Sequence, residues 1–228
     1  MPASTFPDLL AQQLGQDPGR PLVTFYDDET GERIELSVTT YANWVAKTAG
    51  LLQDELDVAR GETVLLDLPT HWFGPVWLGA AWSIGLRVTD DPALAADARL
   101  VVCGPAGIER YADSAADRPV VALSLRPLGA PFAEALPSGV VDYAAVVLGQ
   151  PDAFFPLDPP AAEDAAWRGT RDLDQAGLLR EAAGWSPGGR LLTDVNPCSQ
   201  DGLVTLLGPL STSGGTVWVR HPDVDAWE

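Results

Sequence analysis

Residues 61–90 read GETVLLDLPTHWFGPVWLGAAWSIGLRVTD. Gly61-Glu62 is a turn signal, and Thr63-Val64-Leu65-Leu66-Asp67-Leu68 is a short apolar run of the kind that forms a strand buried on both faces. Pro69 ends it, because proline lacks the N–H that a ladder needs. From about 71 to 84 the chain is apolar on nearly every side, and a helix of that kind must be covered on every side. Gly85 closes the helix and a second short strand follows. The unit is βαβ, which predicts an α/β fold with a largely parallel sheet and helices on both faces. Trp72, Trp77 and Trp82 fan around the helix at five-residue spacing, so they are expected in the core and not as a stacking platform for a ligand.

Upstream, 6–14 suits a short helix, and 22–26 and 33–38 are β-rich runs split by Asp27-Asp28-Glu29-Thr30-Gly31, a hairpin signal. Thr39 or Thr40 is expected to cap a helix whose stripe is Tyr41, Trp44, Val45, Thr48, Leu52 and Leu56. Downstream, strands are expected at 99–103 and 119–123 with a helix at 106–116 between them, then a helix at 142–148. GQPDAFFPLDPPAAED, 149–164, is proline-rich and has no period. It is expected to link an N-terminal α/β subdomain, 1–148, to a second, incomplete α/β subdomain, 165–228. In that last part the pattern predicts a helix at 173–183, a strand at 190–195, a helix capped by Asp201 and running to about Leu210, and a strand at 216–220. The acidic tail 221–228 is expected to fray.

Fourteen Lys+Arg against 32 Asp+Glu give a formal net charge of -18. That disfavours nucleic acid and anionic membranes, both of which are bound by neutralising phosphates with cations. Cys103 and Cys198 match no metal-ligand spacing and are expected as reduced thiols. The N-terminus has no basic region followed by an apolar run, and the longest apolar stretch, 73–86, is too short to span a bilayer. A cytoplasmic location is the expectation.

Gly61-Glu62-Thr63-Val64-Leu65-Leu66-Asp67-Leu68-Pro69-Thr70 resembles the Gly-Asp-x-Val-x-x-x-Leu-Pro-Asn segment of the adenylate-forming superfamily, which holds acyl-CoA synthetases, peptide-synthetase adenylation domains and firefly luciferase. Thr40-Tyr41 and the helix after it are similar to that family's Thr-Tyr-x-Glu-Leu helix. The stretch GGRLLTDVNPCSQDGLVTLLGPLSTSGGTVWV, 188–219, is similar to its Asp-Arg-x-Leu strand, Pro-x-x-His turn, Gly-Leu helix and Pro-Leu-x-x-Gly-Ala-Thr strand. The resemblance implies the N-terminal portion of such an enzyme. It also implies a Ser/Thr/Gly-rich phosphate loop ending Pro-Lys-Gly between Asp164 and Leu173. The chain there reads DAAWRGTRDL, with Gly169-Thr170 as the remnant and no lysine; the sole lysine of the protein is Lys47. Neither the phosphate-loop lysine nor the C-terminal catalytic lysine of the family has a counterpart, so ATP and CoA are not supported as cofactors.

Other candidates are few. Cys198, Ser199 and Asp201 lie at a strand end before a helix, where α/β sheets place functional groups, and in the family this turn often carries a His near the acyl pocket. They are the expected ligand-binding residues. His71 is expected as a surface residue at a helix start, His221 as tail, and Asp27-Asp28-Glu29 as solvated loop charge. The run Ser211-Thr212-Ser213-Gly214-Gly215-Thr216 follows a helix and precedes a strand, the reverse of a phosphate loop. No catalytic residue or metal site is expected. The reading is a degenerate synthetase-like protein, inactive alone, that acts as a small-molecule binding or interaction module. The alternative is a partial ligase whose partner chain supplies the loop and lysine. A homodimer, or a partner protein, is expected to cover the incomplete sheet.

Overall fold

The computed structural model describes residues 3–186 and 188–223, so the tail from 224 onward lies outside the described residues. Helix α1 (Phe6–Gln16) opens with a capping box, in which the Thr5 hydroxyl accepts the Asp8 N–H and the Asp8 carboxylate accepts the Thr5 N–H. Strands β1 (Pro21–Asp27) and β2 (Glu32–Ser37) form the expected antiparallel hairpin. Helix α2 (Val38–Gly50) is capped by Ser37, whose Oγ accepts the Thr40 N–H at 3.1 Å. Neither Thr39 nor Thr40 is the cap: the helix follows the strand without a loop, and Thr39 donates its hydroxyl to Pro18 O. A π-helical turn, Leu51–Glu55, extends α2.

The central unit is β3 (Thr63–Asp67), α3 (Phe73–Ser83) and β4 (Arg87–Thr89), followed by β5 (Leu100–Cys103). The helix expected at 106–116 survives as one α-turn, α4 (Ile108–Tyr111), between two 3-10 turns. No side chain caps its start at Gly104 or Gly107, and the Ser114 hydroxyl takes the Tyr111 carbonyl from the helix ladder. Next come β6 (Val120–Ala122), the unforeseen β7 (Val140–Asp142), and α5 (Tyr143–Val146), which Asp142 caps through the Ala144 N–H. After the proline-rich segment, β8 (Ala165–Trp167) and β9 (Leu173–Asp174) form a second hairpin. Helix α6 (Gln175–Glu181) starts two residues later than expected, because Asp174 is its cap. The chain ends with β10 (Arg190–Thr193), α7 (Leu203–Ser211) and β11 (Gly215–Arg220). Asp201 is exposed and does not cap α7. The cap position is Gly202, where an added Cβ would lie 1.8 Å from Asn196 O.

Two sheets result. The larger runs β7-β6-β5-β3-β4-β8-β9, parallel except for β8–β9, and the smaller runs β10-β11-β1-β2, with only the β1–β2 pair antiparallel. Strands on both sides of the proline-rich segment therefore share each sheet. That segment is tied back by Lys47 to Asp152 at 3.0 Å and by Arg60 to both oxygens of Asp164 at 2.7 and 2.8 Å.

Alternation within β3 and β5 divides the core. Val64, Leu66, Leu100 and Val102 join the main cluster with α1, α2, α3, α7 and the small sheet, while Leu65, Val101 and Cys103 face a second cluster under Tyr111. All of α3 is buried, including its three aromatic residues Phe73, Trp77 and Trp82; Trp72, its N-cap, is buried with it. The helix α2 comes so close at Gly79 that an added Cβ would stand 2.5 Å from the Tyr41 hydroxyl. Buried Gln175 accepts the Phe6 N–H at 3.0 Å and donates to Trp82 O at 3.0 Å, joining α1, α3 and α6. Among the described residues no helix is long and apolar enough to cross a membrane.

Trp82 donates to Ala166 O at 3.0 Å and fills the space between α1 and β8, against Phe6. Trp82→Ala is expected to lower the unfolding free energy by about 3–5 kcal/mol. Tyr41→Phe, which loses one bond to Pro75 O, is expected to cost about 1 kcal/mol. Urea denaturation followed by circular dichroism measures both.

Candidate functional site

Parallel strands deliver their C-terminal ends to one edge, and in α/β proteins ligands bind outside that edge. Here β3, β5 and β6 end at Asp67, Cys103 and Ala122, while β1 and β11 end at Asp27 and Arg220. Between the two sets of ends lies a cavity of about 570 Å³, lined by Asp27, Glu29, Asp67, Arg110, Arg220 and His221 together with the 104–107 turn and Ser124-Leu125.

On the large-sheet side, Asp67 Oδ2 accepts from Arg110 at 2.9 Å and from the Tyr111 hydroxyl at 2.8 Å. On the small-sheet side, β1 and β11 run in parallel with Asp27 beside Arg220, so Asp27 and His221, 194 apart in sequence, meet. The turn after Asp27 directs the Glu29 N–H to Asp27 Oδ1 at 3.1 Å. His221, at φ 50°, places Nδ1 2.9 Å from Asp27 Oδ1 and 3.1 Å from Glu29 Oε2. Burial raises the pKa of Asp27, but the His221 hydrogen bond, the Glu29 N–H and the nearby positive charges outweigh it, and the carboxyl lies below its ordinary value. Arg220 has no carboxylate at ion-pair distance among the described residues. His221 is thus part of this cluster and not tail, and Asp27 and Glu29 are more than solvated loop charge. The βαβ order of the last segment sets β11 beside β10, but no local signal in the sequence sets it beside β1.

His71 is likewise not on the surface. It is 1% exposed, beneath Phe25 at 4.8 Å between ring centroids and stacked on Phe73 at 5.3 Å. Its Nδ1 accepts the Phe73 N–H at 3.2 Å, and Nε2 has no hydrogen-bond partner among the described residues. Burial, aided by the charge of Arg220, pushes its pKa down to about 3.

Cys198 is buried, and burial with the neighbouring Asp90 charge raises its thiol pKa far above the ordinary value. An added Cβ at Gly74 would stand 2.9 Å from its sulfur, so this turn is seated on the start of α3. Asn196 completes the bracket, with Oδ1 accepting the Cys198 N–H at 2.9 Å and Nδ2 donating to Leu68 O at 2.7 Å. The Ser199 hydroxyl donates to Asn196 O and accepts the Gly202 N–H. Cys198, Ser199 and Asp201 are neighbours in one turn, and none of them lines the strand-end cavity.

Where the phosphate loop is implied, between Asp164 and Leu173, stands the β8–β9 hairpin. Gln200 Oε1 accepts from the Thr170 hydroxyl at 2.8 Å and from the Arg171 N–H at 3.2 Å, which holds the turn shut. The Arg171 guanidinium is paired to both oxygens of Glu181 at 2.9 and 3.2 Å.

Unfolded, a histidine takes up a proton below about pH 6.5, whereas folded His71 does so only near 3. Stability is therefore expected to fall as the pH drops through that interval, by up to about 1.4 kcal/mol per unit. His71→Phe should flatten the slope between pH 6.5 and 5, read from denaturation midpoints at each pH. A slope unchanged in the variant would assign the acid sensitivity to other groups.

No family model matches the chain. A TIGR03089 family protein of Mycobacterium tuberculosis is 37% identical over 217 residues, covering 94% of this chain and 89% of that protein. Among solved structures, the coronafacic acid ligase from Pectobacterium brasiliense aligns with a TM-score of 0.79 at 10% identity, over 98% of this chain and 47% of the ligase. The anthranilate CoA ligase AuaEII, in complex with anthranoyl-AMP, aligns with 0.75 at 13% identity, over 94% of this chain and 44% of the ligase. Apo MatB from Rhodopseudomonas palustris gives 0.75 at 17%, over 96% and 46%. The chain thus spans less than half the length of these ligases, and at such identities the likeness is one of fold. The chain has the α/β fold of the N-terminal portion of adenylate-forming ligases, and it belongs to the TIGR03089 family.

Proposed function

We propose that this chain is a non-catalytic binding module on a ligase-type fold, holding a small polar molecule in the cavity at the strand ends. The observation that carries this reading is the hairpin at 165–174. Adenylation builds negative charge on the transferring phosphate and needs cations and oriented amides aimed at it. At the position implied for the phosphate loop, Gln200 occupies the turn and Glu181 neutralises its arginine. Lys47, the sole lysine, is fastened to Gln150 O and Asp152. The cavity keeps groups suited to recognition: Arg220 for an anionic group, and Asp27, Glu29 and Asp67 for donors.

A second reading rests on β10, an edge strand of the small sheet with Leu192 and Val195 exposed beside it. An edge of this kind accepts another strand. The occupant would be a second copy, giving a homodimer, or a partner chain that completes a split ligase.

Pyrophosphate exchange and thermal shift test both. The chain alone is expected to show no ATP-dependent exchange and no shift with ATP–Mg, AMP or CoA. A panel of small carboxylates is expected to contain a ligand that at ~100 times its Kd adds ~2.7 kcal/mol of stability, with the gain lost in Arg220→Gln. Exchange by the lone chain would overturn the binding-module reading. Exchange that appears only with a co-purifying chain would favour the split ligase, and Leu192→Lys should then abolish it.

A further inference from the structure

We propose that Asp27, Glu29 and His221 bind a divalent first-row transition-metal ion at the mouth of the strand-end cavity. Their ligand atoms, Asp27 Oδ1, Glu29 Oε2 and His221 Nδ1, lie within 4.8 Å of one another. The two separations from the imidazole nitrogen are 2.9 and 3.1 Å. Two donors about 2.1 Å from an ion and at right angles to each other stand about 3.0 Å apart. The separation of the imidazole nitrogen from each carboxylate is thus compatible with neighbouring positions in an octahedron.

An ordinary ion pair accounts for less. One Nδ1–H points along one line, yet two carboxylates from different positions converge on the same nitrogen, and one of them, Glu29, has a side chain 70% exposed and open solvent available to it. A divalent ion with a neutral imidazole would engage both carboxylates at once. Asp27, 6% exposed at its side chain, already has the charges of His221 and Arg220 near it, whereas among the described residues Glu29 is paired to His221.

The donor set also narrows the ion. Imidazole suits zinc, iron, copper and nickel, while carboxylates suit manganese, magnesium and calcium. One imidazole with two carboxylates, and no thiolate, selects Mn²⁺, Fe²⁺, Co²⁺ or Zn²⁺ over Mg²⁺. Three protein ligands leave the remaining positions open toward the cavity, which Arg220 also lines; among the described residues no carboxylate is at ion-pair distance from that arginine. An oxyanion, as a carboxylate or a phosphate group, would bridge the ion and Arg220. This last step rests on the binding-module reading, whereas metal binding itself does not.

The test uses the full chain, stripped with EDTA and titrated with Mn²⁺ by electron paramagnetic resonance and with Co²⁺ by visible absorption. One ion per chain is expected, with millimolar Mg²⁺ failing to displace it. Glu29→Gln and His221→Gln are each expected to weaken binding by about tenfold or more, and Asp117→Asn, an exposed control, to leave it unchanged. Circular dichroism confirms folding, and Glu29 is exposed enough that its variant folds. No stoichiometric binding, or binding equal in wild type and both variants, would overturn the inference. A carboxylate ligand that binds the EDTA-stripped chain as well as the loaded one would overturn the bridge between ion and Arg220 while keeping the cavity; metal binding with no ligand from the panel would overturn the binding-module reading while keeping the metal.

Discussion

Complete burial of α3 is the constraint on which the rest depends. A helix with apolar residues on every side cannot rest on one sheet, because the far face would still be in water. It has to be enclosed, and the chain encloses it between the large sheet and the layer of α1 and α2 that leads to the small one. Close approach follows at Gly79, where any side chain would strike Tyr41 and Val45. Polar groups trapped by this arrangement need partners inside it, and Gln175, Tyr41 and Trp82 supply them through bonds between elements far apart in sequence. Each of these bonds is strong in the low-dielectric interior and costly to leave unmade.

Enclosure also decides where the polar edge falls. Both sheets sit against the same helices, so their C-terminal ends converge and the groups there cannot be buried with the core. Asp67 meets Arg110 on one side and Asp27 meets His221 on the other, with the cavity between. Directly behind this edge is His71, neutral among Phe25, Trp72 and Phe73. The contrast between the two histidines is one of environment alone: one is enclosed by aromatic rings, the other faces two carboxylates and solvent.

Periodicity made the fold legible in the sequence, and long-range pairing is what it left out. The βαβ unit, the first hairpin and the stripe from Tyr41 to Leu56 were readable because each has a local pattern. β7 was not, since its valines run straight into the apolar turn of α5, and neither was β8, whose Ala165-Ala166-Trp167 carries no β-branched residue; both exist through their neighbours. The long helix at 106–116 failed for a local reason, the competition of Ser114 for a backbone carbonyl. At the site, reading motif by motif pointed to Cys198, Ser199 and Asp201, because a strand end before a helix is where sheets often act. His221 and Asp27 escaped because their meeting depends on β11 lying beside β1, a tertiary fact that neither residue's surroundings encode.

Charge links the strand-end edge to the closed hairpin. With a net charge of -18 the molecule repels anions at a distance and gathers cations, although screening confines the effect to about 8 Å at physiological salt. A nucleotide has to be held by a local excess of positive charge, yet several of the arginines are already committed: Arg60 to Asp158 and Asp164, Arg110 to Asp67, Arg171 to Glu181, Arg190 to Glu35, and Arg118 to the carbonyls of Ala96 and Ala98. A triphosphate approaching the hairpin would therefore meet neutralised cations and a repulsive field. A divalent cation approaching Asp27 and Glu29 meets the opposite. The field of the whole protein favours it, and once bound it would add positive charge beside Arg220, so that the same edge would hold an anion more tightly than the bare chain does.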